Sequence, residues 1–254
     1  MEQTYCEKQT LPVLGQTDVV VLGGGPSGVV TALAAARHGA KMGLFGKNSI
    51  LGGLATAGHV CLFEPLCDGY GRQVTSGMVE EMFFRSIQYS YNTLPERWTK
   101  GKIEKSNEID TKEYMGGQGR FATLFNIPAF MLAMEESLQE AGVEIWYDTL
   151  FCQPIMEGEV CQGVIVENAS GRSVLACQQL IDATGACLAF HRAGADCATY
   201  KNRFTFECMD TNFQRMQAAI DSGNMQKAIF WRILGWNPVV SDPNQAHEFE
   251  GLTA

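Results

Sequence analysis

An apolar strand pattern, Asp18-Val19-Val20-Val21-Leu22, runs into Gly23-Gly24-Gly25-Pro26-Ser27-Gly28 and then into an Ala-rich helical pattern, Val29 to His38. Gly23, Gly25 and Gly28 stand at G-x-G-x-x-G spacing. On its own that spacing is a weak signal. Between a strand and a helix it is the dinucleotide-binding fingerprint. Gly23 permits the turn out of the strand, Gly25 lets a pyrophosphate approach the backbone, and Gly28 lets the helix pack on the strand. Pro26 suits a first helical turn, where its missing N–H costs little. The amides and positive dipole end of that helix would face the phosphates.

The segment Ala40 to Phe45 reads as a second strand, completing a β-α-β unit. Leu54 to Arg72 is rich in Gly and small residues and reads as a long loop. Met78 to Tyr89 carries Met78, Met82, Phe83 and Ile87 at helical spacing. Asn92 to Arg120 mixes Lys100, Lys102 and Lys105 with Glu104, Glu108 and Asp110, and reads as a solvated excursion. Asn126 is placed to cap a helix that Pro128 starts and Gly142 ends, with Phe130, Met131, Met134 and Leu138 as its stripe. A strand at Val143–Tyr147 follows. Three more strands are expected at about Leu150–Met156, Val160–Glu167 and Ser173–Ile181. From Asp210 onward the pattern is helical, broken at Asp221-Ser222-Gly223.

The chain has 254 residues, enough for one large domain or two small ones. A net charge of −9 argues against a nucleic-acid partner. Nine cysteines without a C-x-x-C pair read as free thiols in a reducing compartment, with no metal site. Met1 to Thr17 lacks the basic and apolar regions of a secretory signal, and no apolar run has the length of a membrane span. A cytoplasmic protein is the expectation.

Downstream residues choose the nucleotide. Leu51-Gly52-Gly53-Leu54-Ala55-Thr56-Ala57-Gly58 follows the second strand, Asp68-Gly69-Tyr70-Gly71-Arg72-Gln73-Val74 comes next, and Ile181-Asp182-Ala183-Thr184-Gly185 ends the last of the three strands. With the fingerprint, this order resembles bacterial FAD-dependent oxidoreductases of the glutathione-reductase-like, two-dinucleotide-binding-domain type. The likeness is to those with G-G-x-A-T-A-G after the second strand. It runs from about Asp18 to about Ala195. The resemblance implies an α/β fold: a Rossmann-like FAD/NAD(P)-binding domain with a central parallel sheet and a three-stranded β-meander. That domain would span 1–195, with the polar excursion at about 92–120, and 196–254 would begin a partly helical substrate domain.

The resemblance also implies site residues. Gly23, Gly25, Ser27 and Gly28 would cradle the FAD pyrophosphate. Gly52, Gly53, Ala55 and Thr56 would run along the phosphates and ribityl chain. The backbone at Cys152 would flank the adenine. Ala183, Thr184 and Gly185 would form the turn under the cofactor. Dinucleotide folds usually end the second strand with an acid that holds the adenosine ribose hydroxyls; here that position is Gly46, followed by Lys47 and Asn48. Losing such a bond costs about 1.5–3 kcal/mol, or roughly one to two decades of affinity. Lys47 would partly compensate through a phosphate. The family's Asp after the A-T-G turn is replaced by Ala186.

The implied activity is redox of a small organic substrate by hydride transfer to or from flavin, with NAD(P)H or another electron partner. Catalytic residues are poorly marked. Arg72 suits an anionic substrate or reduced flavin, and His59 suits proton donation, but a surface arginine and a satisfied loop histidine are the commoner uses. Cys61 and Cys67 have no basic activator nearby in sequence and read as inert. His191 reads as packing, and Trp231 and Trp236 as core or interface. Nothing between Gly185 and Ala254 repeats a glycine-rich flavin-facing motif, while the resemblance implies a completing segment near the C-terminus. The alternatives are therefore a truncated, non-catalytic nucleotide-binding module or half of a split enzyme, with a partner chain or self-association completing the fold. A shortened biosynthetic enzyme resembling thiazole synthases is a lesser alternative.

Overall fold

β1 (Val13–Leu22) is the axis around which the first part of the chain is built. Val20, Val21 and Leu22 are buried, as a strand covered on both faces must be. The computed structural model describes residues 5–63, 66, 74–89, 123–198, 206–210, 212–223 and 230–234. The chain divides into two compact units, Met1–Cys197 and Ala198–Ala254.

In the first unit β1 is followed by α1 (Pro26–Arg37), β2 (Met42–Phe45), a 3-10 turn at Gly53–Ala55, β3 (Leu62–Phe63) and α2 (Met78–Ile87). Then come β4 (Thr123–Leu124), α3 (Ile127–Glu140), β5 (Glu144–Trp146), β6 (Leu150–Glu157), β7 (Val160–Asn168), β8 (Gly171–Asp182) and α4 (Leu188–Arg192). Six strands form one sheet in the order β5-β2-β1-β8-β7-β6. The first four are parallel, and β8, β7 and β6 are antiparallel neighbours. This is the α/β architecture expected, with one refinement. The meander and the parallel layer share β8, whose register with β7 runs from Gly171 to Ala176 and with β1 from Val174 to Asp182.

The shared strand lets the meander fold over one face of the parallel layer. Val164, Val166, Leu175 and Cys177 form one buried cluster with Val20, Leu22 and Phe45. Phe45 also stacks on Trp146, with ring centroids 5.6 Å apart. The helices pack together through the buried positions of α1 (Val29, Ala32, Leu33) and of α3 (Phe130, Ala133, Met134, Leu138). Asn126 caps α3 as its position predicts, its Oδ1 accepting the Ala129 amide at 3.0 Å. α2 buries Met82, Phe83 and Ile87, and Arg37 of α1 meets Glu81 of α2 in a two-pronged ion pair at 2.7 Å.

Several boundaries differ from expectation. β1 begins five residues before Asp18, and α1 begins at Pro26 rather than Val29. β2 begins at Met42 because Lys41 is diverted: its amide donates to Asp18 Oδ2 at 2.7 Å. The segment expected as a long loop contains the 3-10 turn and β3, which pairs with β4. Phe63 meets Phe83, Phe125 and Phe130 at centroid separations of 5.2–6.0 Å, so long-range aromatic packing orders what local composition left open.

In the second unit, β9 (Phe206–Asp210) and β10 (Phe230–Leu234) pair antiparallel, with α5 (Phe213–Ser222) between them in sequence. Among the described residues, the helical pattern expected from Asp210 onward is found in α5. The flanking runs Phe206–Asp210 and Phe230–Leu234 are five residues each, too short for a stable helix and rich in strand-favouring residues. Gly223 ends α5 with φ +64°. Trp231 lies on β10. Arg72, Cys67, the excursion at 92–120 and Trp236 lie outside the described residues. Among the described residues no helix is long and apolar enough to cross a membrane.

Candidate cofactor site

β2 and β8 flank β1 on opposite sides, so the crevice beyond Leu22 is where the strand order reverses. Open α/β sheets bind ligands at such a point. Three backbone bonds extend the ladder past the strand ends: Gly23 N–H to the Phe45 carbonyl at 2.7 Å, Ala183 N–H to the Leu22 carbonyl at 2.8 Å, and Gly46 N–H to the Trp146 carbonyl at 2.9 Å. Gly23, Gly46 and Ala183 are thereby fixed side by side on one edge.

The fingerprint glycines divide by role. A Cβ on Gly23, whose φ is +112°, would lie 2.6 Å from the Ala183 carbonyl carbon. A Cβ on Gly28 would collide with the Gly23 carbonyl and lie 3.4 Å from the Ala183 methyl. Both glycines serve the close approach of α1 to the β1 and β8 ends. Gly25 is different: a Cβ there would meet nothing within 4 Å. The space in front of it is open.

Gly25 is also the N-cap of α1, with no side-chain cap and no acidic residue in the first turn. The Ser27 and Gly28 amides belong to that first turn and have no intrahelical acceptor. Ser27 is exposed and Gly28 is buried. Uncapped amides, a positive dipole end and open space are the donor set a pyrophosphate requires.

The second glycine loop is built onto the first. Gly52 N–H donates to the Gly24 carbonyl at 2.7 Å, and a Cβ on Gly53 would stand 3.1 Å from the Gly25 Cα. Gly52 has φ +96° and presses against Met134 of α3. Thr56 is buried and its hydroxyl donates to the Leu51 carbonyl, so that side chain holds the loop's shape. Ala55, with Ser27, Leu54, Val60, Met82 and Phe130, lines a mainly apolar cleft of about 490 Å³ beside the cradle.

The Ala183-Thr184-Gly185 turn is organised by Asp182. Its Oδ1 accepts the Thr184 hydroxyl at 2.7 Å and the Thr184 amide at 2.9 Å. Its Oδ2 accepts the Ala189 amide at 2.7 Å and the Phe190 amide at 3.3 Å. The Thr184 hydroxyl oxygen in turn accepts the Leu188 amide at 3.1 Å. Burial pushes the Asp182 carboxyl upward, but the bonds from Thr184, Ala189 and Phe190 outweigh it and hold the group below its ordinary range. The A-T-G turn is thus tied to the start of α4.

Where the sequence places the ribose, Gly46 is buried directly after β2, and Lys47 is exposed. A Cβ on Gly46 would make only ordinary contacts, 3.6 Å to the Asn48 carbonyl oxygen and 3.9 Å to Gly24. Glycine there is permitted, not required. Cys152 lies near the start of β6. Its carbonyl and that of Phe151 accept from the Arg192 guanidinium. Burial, followed by the neighbouring Glu167, pushes the Cys152 thiol upward, so it stays protonated.

Of the remaining expectations, His59 is exposed on the second glycine loop with φ +58°, and Cys61 is buried. His191 corrects its expectation: it is exposed on α4 rather than packed, because α4 buries Ala189 instead. Among the described residues no group of three His, Cys, Asp or Glu comes together as a metal site. Asp182 and Arg192 were not anticipated as site-organising residues. For Asp182 part of the signal was available, as an Asp readily accepts the backbone amide two residues on; its bonds to Ala189 and Phe190 have no local signal. For Arg192 no local signal exists.

The family model described as FAD dependent oxidoreductase matches residues 18–250. The chain belongs to this family. FAD is the cofactor of the FAD-dependent oxidoreductases, and the uncapped, open α1 N-terminus fits its pyrophosphate. No curated protein matches the chain. Among solved structures, a geranylgeranyl bacteriochlorophyll reductase-like protein (Ta0516) from Thermoplasma acidophilum is 16% identical with a TM-score of 0.50, covering 77% of this chain and 46% of that one. L-proline dehydrogenase from P. horikoshii is 16% identical with a TM-score of 0.49, covering 78% and 60%. Thermovibrio ammonificans THI4 is 17% identical with a TM-score of 0.46, covering 71% and 64%. The chain spans less than two thirds of the length of each. The likeness to the Thermoplasma protein is one of fold.

Proposed function

We propose that the protein is an FAD-dependent oxidoreductase that passes a hydride between flavin and a small organic substrate. The observation that carries this reading is the pair of glycine loops joined by the Gly52–Gly24 bond in front of an uncapped helix. Gly25, Ser27 and Gly28 hold the pyrophosphate by backbone amides. Gly23 supports that loop from below. Gly52, Gly53, Ala55 and Thr56 shape the path of the ribityl chain. Ala183, Thr184 and Gly185 close the floor, Gly46 and Lys47 border the ribose, and the Cys152 backbone flanks the adenine. The bound flavin supplies the redox chemistry; the chain supplies orientation and electrostatics.

NAD(P)H or another small electron carrier serves as the second partner, and a partner chain or a second copy completes the substrate side. The glutathione-reductase-like order of motifs supports this subtype. Free thiols at Cys6, Cys61, Cys152, Cys161, Cys177, Cys187 and Cys197 fit the cytoplasm. The test is a visible spectrum of the purified chain after incubation with FAD and removal of the excess. Two flavin bands that bleach with dithionite support the reading. A colourless protein that quenches no FAD fluorescence overturns it.

A further inference from the structure

The end of β2 lacks the carboxylate that normally holds the adenosine ribose, yet the fold bonds an acid-bearing turn to the residues that follow β2. The turn between β5 and β6, Tyr147 to Thr149, is pinned to the residues after β2 by three backbone bonds. Gly46 N–H donates to the Trp146 carbonyl at 2.9 Å, Thr149 N–H donates to the Gly46 carbonyl at 2.9 Å, and Asp148 N–H donates to the Asn48 carbonyl at 3.3 Å. The Phe45–Trp146 stack braces the turn from one side, and the Asn168 side chain, donating to Thr149 Oγ1 at 3.4 Å, braces it from the other. Asp148 sits at the centre of these contacts with φ +47° and an exposed side chain. Among the described residues its carboxylate accepts no hydrogen bond and forms no ion pair.

We propose that Asp148 replaces the missing strand-end acid and accepts the adenosine ribose hydroxyls of the nucleotide bound at this site. The inference rests on the nucleotide-binding reading above and deepens it. A left-handed backbone is unusual outside glycine, but Asp and Asn tolerate it. Here it puts a short, exposed acid on a turn bonded to Gly46, a residue with no side chain of its own. The same placement decides between two ligand chemistries. Lys47 alone would favour a nucleotide with a 2′-phosphate, as a basic residue does after a strand without an acid. A free carboxylate beside Gly46 repels that phosphate and favours unmodified hydroxyls.

The experiment uses the full chain and competition against FAD fluorescence, with ADP, 2′,3′-dideoxy-ADP and adenosine 2′,5′-bisphosphate as probes. Asp148→Asn keeps the backbone conformation and removes only the charge. The expected result is about ten- to a hundredfold weaker ADP binding, with 2′,3′-dideoxy-ADP affinity unchanged because its contact is already absent. Gly46→Glu in the Asp148→Asn background is expected to restore ADP binding, since its Cβ has room. ADP affinity unaffected by Asp148→Asn overturns the proposal. So does an equal loss for both ADP and the dideoxy probe, or tighter wild-type binding of adenosine 2′,5′-bisphosphate than of ADP, which would give the subsite to Lys47. Each of these leaves the nucleotide-binding reading standing. A wild-type chain that binds neither FAD nor ADP overturns both.

Discussion

Ala183 and Gly23 are locked together: a Cβ on Gly23 would stand 2.6 Å from the Ala183 carbonyl carbon and nearer still to its oxygen. Ala183 directly follows β8 and Gly23 directly follows β1, so the two motifs read in sequence as parts of a nucleotide site are one contact in space. The glycine loop after β1 is held in shape by its close approach to the A-T-G turn.

Gly23→Ala therefore acts on the fold before it acts on binding. The methyl group meets backbone that has no flexible end to move, and φ +112° is unfavourable for alanine. Overpacking of this kind costs typically about 1–3 kcal/mol. The expected outcome is a lower Tm in the absence of any nucleotide, together with loss of flavin from the purified protein. Differential scanning fluorimetry with and without FAD measures both.

Gly25→Ala separates binding from folding. Nothing lies within 4 Å of the added methyl, and Gly25 already has φ −73° and ψ 176°. Stability without nucleotide should stay within about 0.5 kcal/mol of the parent. FAD affinity should fall steeply, because the methyl takes the space a phosphate needs against the loop. An FAD titration that matches the parent would remove Gly25 from the phosphate site.

Local chemistry made part of this site legible. The fingerprint glycines, the Asn126 cap and the three meander strands each announce themselves within a few residues of chain. What stayed hidden depends on contacts between distant segments. Nothing near Asp148 says that its turn is bonded to Gly46, about a hundred residues earlier by the numbering in the sequence. The order at Leu62–Phe63 comes from Phe83, Phe125 and Phe130, and a small-residue loop gives no hint of it. That the meander and the parallel layer share β8 follows from register, which strand patterns alone do not set.

The Arg37–Glu81 pair joins α1 to α2 at the surface. Its geometry is two-pronged, at 2.7 Å for each bond, but the side chains are 44% and 30% exposed. Hydrogen bonding to Arg37 holds the Glu81 carboxyl below its ordinary range. Solvent screening limits what that bond contributes to about 0.2–1 kcal/mol. A double-mutant cycle with Arg37→Met and Glu81→Gln, read by urea unfolding, should give a coupling in that range that shrinks in high salt. A coupling above about 2 kcal/mol would show that exposed pairs behave differently here.

Asp182 should make the A-T-G turn acid-sensitive. Its folded-state carboxyl lies below the unfolded value of about 3.9. Its contribution is therefore complete above that pH and is lost as pH falls through the lower folded value. Asp182→Asn keeps the shape but exchanges one acceptor for a donor facing either Thr184 or the Ala189 and Phe190 amides. Given four bonds to the carboxylate, a loss of about 1–3 kcal/mol at neutral pH is expected. The difference between parent and variant should narrow in acid, because protonation gives the parent the same defect. Chemical unfolding at pH 7 and at pH 3 tests this directly: a gap that stays constant between the two would mean that the carboxylate charge does not hold the turn.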